Sequence, residues 1–165
     1  MKKLLYPALF LAIECVYAAD PPPMKEGLWS IHTVSTDQPG NKKTEGTRSI
    51  CRNHAYDERV RAMAAQKSAA TCKTLSEHSA GGTITTETQC SAGGSILKTK
   101  GVVTMSGDAA AHSETSTTYT PALYGTSETT MVMDQKFVGA CPAGMEPGDT
   151  MDANGKIAHR TQTPK

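Results

Sequence analysis

Alternation between apolar and polar positions sets the first readable element of the chain. In "GLWSIHTVSTD", Trp29, Ile31 and Thr33 fall on one face and Leu28, Ser30, His32 and Val34 on the other. Period two with β-branched residues predicts a strand. "QPGNKK" supplies a turn centred on Pro39-Gly40, and "TEGTRSIC" reads as the returning strand. One stretch changes period. From Asn53 to Lys67, residues Tyr56, Val60, Met63 and Ala64 recur at helical spacing as a narrow apolar stripe on an otherwise charged helix. Asn53 suits the N-cap, and Asp57 and Glu58 early with Lys67 late match the helix dipole.

After Cys72 the period returns to two. "CKTLSEHS", "ITTETQC", "ILKTKGVVTMSG", "AHSETSTTYT" and "SETTMVMDQKFVGAC" read as strands, with "AGGT" and "SAGGS" as hairpin turns and "PALYGT" as an interruption. Short strands in succession with no helix between them predict an antiparallel meander. The expected fold is mainly β: a curved antiparallel sheet or open barrel of about seven strands, with one short helix covering an opening. From Pro142 onward periodicity is lost, so residues 142–165 are expected to form an exposed, mostly disordered tail.

The N-terminus changes the picture of compartment. Lys2 and Lys3 precede an apolar run from Leu4 to Ile13, and Val16-Tyr17-Ala18 follows. That order is a secretory signal peptide over residues 1–18, cleaved after Ala18. The apolar run is shorter than the roughly twenty residues a membrane span requires. Cys15 follows Glu14, where a lipidation box needs a small residue, so it is expected to leave with the signal. "DPPPMK" (Asp20–Lys25) is a proline-rich lead-in that stays extended. Localisation is therefore expected to be periplasmic, with residues 19–141 as one β-rich domain.

Composition sharpens this. Removing residues 1–18 leaves 15 basic and 15 acidic side chains, so the mature chain carries no formal net charge. Such a chain has no electrostatic footprint for nucleic acid or an anionic membrane surface. Large aliphatics are few, so the core must be thin. Four cysteines remain: Cys51, Cys72, Cys90 and Cys141. An even count in an exported chain reads as a disulfide framework with three possible connectivities. Cys72 and Cys90 bracket a hairpin and pair most economically, leaving Cys51 with Cys141.

The order of these features resembles the domain-of-unknown-function 3617 family of small exported bacterial proteins. The resemblance is carried by "PPPMKEGLWSIHT", by Cys51 ending the second strand, by the helix, by the Cys72…Cys90 hairpin and by the closing "KFVGAC". It extends over roughly Pro21 to Asp149, with Glu26 standing where the family commonly has proline. The resemblance implies a periplasmic, β-rich protein. It brings no activity and no catalytic residues.

Candidate chemistry is sparse. Met131 and Met133 share a strand face, and paired thioethers favour Cu(I). Methionine also fills irregular cores, and Phe137 on the same face points inward, so core packing is the expectation and copper handling with a nearby histidine the alternative. His32, His54, His78, His112 and His159 are scattered singly, without zinc spacing. "DTMDANGK" resembles a calcium loop, with Thr150, Asp152 and Asn154 as ligands, but Thr161 stands where a bidentate Glu is required. No serine-hydrolase, phosphate-loop or zinc-protease motif occurs, and no cofactor is implied. The expected function is a non-enzymatic binding or interaction module. It would take an apolar small molecule near Trp29, Ile31 and Phe137, or a periplasmic protein partner. An enzyme whose groups converge only in three dimensions is the remaining alternative.

Overall fold

The computed structural model describes residues 23–160, so the signal segment 1–18 lies outside the described residues. Seven main strands follow the predicted pattern: β1 (Gly27–Gln38), β2 (Lys42–Arg52), β3 (Cys72–Ala80), β4 (Thr83–Ala92), β5 (Ser95–Ser106), β6 (Ala110–Leu123) and β7 (Thr126–Gly139). Helix α1 (His54–Ala69) separates β2 from β3, and two short strands, β8 (Thr150–Met151) and β9 (Ile157–Ala158), follow. All nine form one antiparallel sheet in the order β3-β4-β5-β6-β7-β1-β2-β8-β9. Its two ends do not pair with each other, so the sheet is not a closed barrel. Among the described residues, no helix is long and apolar enough to cross a membrane.

Turn chemistry explains the meander. Gly81-Gly82 and Gly93-Gly94 are two-residue loops with positive φ at both positions, the backbone that matches strand twist in a tight hairpin. Glycine is the residue that adopts it without a steric cost.

The helix must carry the chain from β2 to the far edge strand β3. Six strand spacings at about 4.8 Å give roughly 29 Å across a flat sheet. A helix of 16 residues is about 24 Å long. With Asn53, Ala70 and Thr71 at its ends the helix spans that distance across one face of the curled sheet, its concave face. Asn53 caps α1 as its sequence suggests, its Oδ1 accepting from the Tyr56 N–H at 2.8 Å.

Strand alternation then sorts side chains by face. Leu97, Thr99, Val103 and Met105 of β5 turn inward, while Ile96, Lys98, Lys100 and Val102 are exposed. The buried large apolar side chains of the sheet, Trp29 and Ile31, lie at one end of the trough. Trp29 is fully buried, and its indole N–H donates to the Lys25 carbonyl at 2.9 Å. Phe137 packs edge-on against it with ring centroids 5.9 Å apart. The lead-in passes over this end, where the Lys25 N–H donates to the Asp108 carbonyl. Gly27 sits so close to β7 that a Cβ there would lie 2.3 Å from the Gly139 carbonyl oxygen.

Two disulfides staple the thin core, Cys51–Cys141 and Cys72–Cys90. The first joins the end of β2 to the residues after β7; the second ties the edge strand β3 to β4.

One expectation is corrected. Residues 142–160 are not an exposed, disordered stretch. They fold back on β2, with the Gly148 N–H donating to the Cys51 carbonyl and the Cys51 N–H to the Asp149 carbonyl, and β8 and β9 extend the sheet. Asp149 is buried and accepts from the Glu146 N–H, the Arg160 N–H and His159. Backbone bonds and one carboxylate order this segment, and neither leaves a hydrophobic period in the sequence. The apolar stripe of α1 adds little to the core. None of its residues is buried; Tyr56 meets Gly148 and Arg160 of the folded-back segment, and Val60 and Met63 stay partly exposed.

Candidate functional site

Strand register lays the concave face out in rows. Thr33, Met133, Ser113, Val103 and Ile84 align across β1, β7, β6, β5 and β4. The next row is Ser35, Met131, Thr115, Gly101 and Thr86; the one beyond is Asp37, Thr129, Thr117, Thr99 and Thr88. Apart from the buried Gly101, these positions are half-buried, so the face is a trough lined by hydroxyls and methionines. Its hydroxyls bond laterally: Thr99 to Thr117 at 2.8 Å, Tyr119 to Thr129 at 3.3 Å, and Thr129 to the Asp37 carboxylate at 2.7 Å. Cross-strand bonds of this kind keep the row ordered without filling the space above it.

At the Trp29 end, Arg52 joins sheet, helix and core. Its Nε and Nη2 donate to the two carboxylate oxygens of Asp57, at 2.9 and 3.0 Å, and Nη1 donates to Gln135 at 3.0 Å. The guanidinium lies 5.2 Å over the Trp29 ring. A bidentate, stacked arginine of this kind fixes the first turn of α1 against the sheet.

Between α1 and β4–β5 lies a cavity of about 320 Å³, near the low end of the range for small-molecule sites. Its apolar walls are Pro23, Met24, Val60, Ile84 and Met105. Its helix wall is charged: His54, Asp57, Glu58 and Arg61, with Arg52 beside them. Those four helix positions recur at i, i+3, i+4 and i+7, so α1 presents a charged stripe to the concave face. His54 is engaged, with Nε2 bonded to the Met24 carbonyl at 3.0 Å and its backbone N–H donating to Glu26. No serine, threonine or cysteine lines the cavity among the described residues.

The sequence-selected residues separate into two groups. Trp29, Ile31 and Phe137 come together, but Trp29 and Ile31 are packed core, and none of the three lines the cavity. Met131 and Met133 share the trough face in adjacent rows. The strand histidines lie on the opposite face: His32, Asp134 and His112 align across β1, β7 and β6 on the convex side, and His78 pairs with Thr85 there. None of these three strand histidines therefore shares a face with the methionine pair.

The convex row has its own electrostatics. His112 is held by Asp134 at 2.6 Å through Nδ1 and by Glu114 at 3.2 Å through Nε2, and these hydrogen bonds raise its pKa above the ordinary imidazole value. The two carboxylates occupy opposite ring nitrogens, an arrangement for holding a proton rather than a metal. No group of three or more His, Cys, Asp or Glu side chains among the described residues is disposed to hold a metal ion. The calcium-like loop is also accounted for, since Asp152 Oδ1 accepts from the Asn154 and Lys156 N–H groups in a turn.

The cavity escaped sequence reading because its walls come from four separate segments. The signal that could have pointed to it is the spacing of His54, Asp57, Glu58 and Arg61, a second helical stripe beside the apolar one.

Residues 24–141 match the family described as "Protein of unknown function (DUF3617)", and the chain belongs to that family. No curated protein matches it.

Proposed function

We propose that this member of the DUF3617 family is exported to the periplasm and acts there as a non-enzymatic binding module, receiving an apolar small molecule on the concave face of its sheet. The site lies along the half-buried row of Met131 and Met133, beyond the packed Trp29–Ile31–Phe137 end. Export is supported by the signal-like order of Lys2, Lys3 and the Leu4–Ile13 run, and by two disulfides, which persist in oxidising compartments.

The observation that carries the binding reading is the half-buried concave face beneath a helix that buries none of its own side chains. A helix laid over a sheet normally seals an apolar stripe against it. Here no residue of the stripe is buried, and the space between α1 and the sheet, with Val60 on its wall, stays open, which is the form of a container rather than a finished core. Curved sheets hold ligands in such mouths.

Native mass spectrometry of the periplasmic protein tests this. A mass excess that disappears on denaturation is the expected result, and its size identifies the ligand class. A native mass equal to the bare disulfide-bonded chain, unchanged after incubation with periplasmic extract, rejects the reading.

A further inference from the structure

The lining of the cavity beneath α1 bears on what it would hold. Its deep walls are apolar, formed by Met24, Ile84 and Met105 with Val60. Two of these are methionines, whose flexible thioethers adapt to chains of varied shape. The opposing helix wall is charged. Within that wall, Asp57 is consumed by Arg52 and His54 by the lead-in. Two N-terminal N–H groups of α1 are also occupied, that of Tyr56 by Asn53 and that of His54 by Glu26. Glu58 and Arg61 remain, three residues apart on one helix face, and neither forms an ion pair among the described residues.

Resting on the binding reading above, we propose that this cavity is a site for a single-chain zwitterionic amphiphile. Its alkyl chain would enter between Ile84, Met105 and Met24. Its head group would place a cation at Glu58 and an anion at Arg61. Charge complementarity selects this class. A purely anionic head meets Glu58, and a purely cationic one meets Arg61, each as a like charge at short range. A neutral head leaves both side chains to water and gains nothing from either.

The test is a head-group series at constant chain length. Dodecylphosphocholine, dodecyl maltoside, dodecanoate and dodecyltrimethylammonium are titrated below their micelle thresholds into the full exported protein. Trp29 is the single tryptophan and stacks under Arg52 at the cavity edge, so its emission reports occupancy. Dodecylphosphocholine is expected to bind tightest, with Glu58→Gln and Arg61→Gln each weakening it by about tenfold and leaving dodecyl maltoside unchanged. Ile84→Glu places a charge in the apolar wall and is expected to abolish the titration. Val60→Glu, at a partly exposed helix position, repeats that test should Ile84→Glu fold poorly.

Equal binding of dodecyl maltoside, or titrations indifferent to Glu58 and Arg61, overturns the proposed head group. A native mass excess that survives both Ile84→Glu and Val60→Glu moves the ligand to another part of the trough, leaving the binding-module reading intact while this site assignment falls.

Discussion

The two ends of the sheet are built on different principles. At the β1–β2–β7 end, Trp29 is sealed by Phe137, Arg52 and the lead-in, and Cys51–Cys141 and the folded-back segment reinforce it. At the β3–β4–β5 wing, the inward rows are largely threonine and half-buried, α1 packs loosely, and one disulfide holds the edge strand. The difference teaches that stability is concentrated at one end so that the other can remain open. A protein with few large aliphatics cannot pack both, because each part of the core must offset the entropy of ordering its own strands.

The sharpest way to break that comparison is at Trp29. Trp29→Ala empties the packed end and is expected to cost about 3–5 kcal/mol, read as a lower urea midpoint, whereas Thr99→Val in the wing gives up one hydroxyl bond to Thr117 and should cost about 1 kcal/mol. Equal losses at the two sites would show that the ends are not energetically distinct.

The disulfides should rank in the same order. Cys51–Cys141 closes 90 residues of sequence and Cys72–Cys90 only 18. Chain-entropy arithmetic gives about 4.6 and about 3.2 kcal/mol respectively. Paired Cys→Ala variants, compared by thermal melting, check both the order and the gap.

Arg52→Ala removes the bidentate pair with Asp57, the bond to Gln135 and the stacking on Trp29, and is expected to cost about 2–3 kcal/mol. Because Arg52 connects both regions, hydrogen exchange in α1 should accelerate along with that of β1. Acceleration in β1 alone would show that the helix is held by other contacts.

The smallest effects are electrostatic. Hydrogen bonds from the Glu146 and Arg160 N–H groups, with His159, lower Asp149 from 3.8 to about 2. A depressed carboxylate contributes stability that is present above its unfolded value and is lost as pH falls. The clasp of residues 142–160 should therefore loosen between about pH 3.8 and pH 2, and Asp149→Asn should flatten that part of the acid limb. His112 carries the opposite sign. Its raised pKa makes the Asp134–His112–Glu114 contact most stabilising below the ordinary imidazole value and weaker as pH rises through the folded value. His112→Gln should remove that slope and leave acid behaviour unchanged.

The sequence by itself determined the local and periodic features. Alternation marked the seven main strands, Asn53 marked the helix start, and paired glycines marked the hairpins, because each is decided by neighbours within a few residues. Cysteine parity and the bracketed hairpin pointed to the two bonds that form, Cys72–Cys90 and Cys51–Cys141. The order of motifs pointed to the family. Tertiary structure decided what depends on distant partners. The joining of β7 to β1 sets the order of the sheet, the anchoring of residues 142–160 comes from backbone groups of β2 and the Asp149 carboxylate, and the orientation of α1 comes from Arg52 reaching Gln135 and Tyr56 reaching Gly148 and Arg160, all far along the chain. The cavity belongs to this second class. Met24, Arg61, Ile84 and Met105 carry no common period, and only the curl of the sheet beneath a helix of matching length brings them to one space.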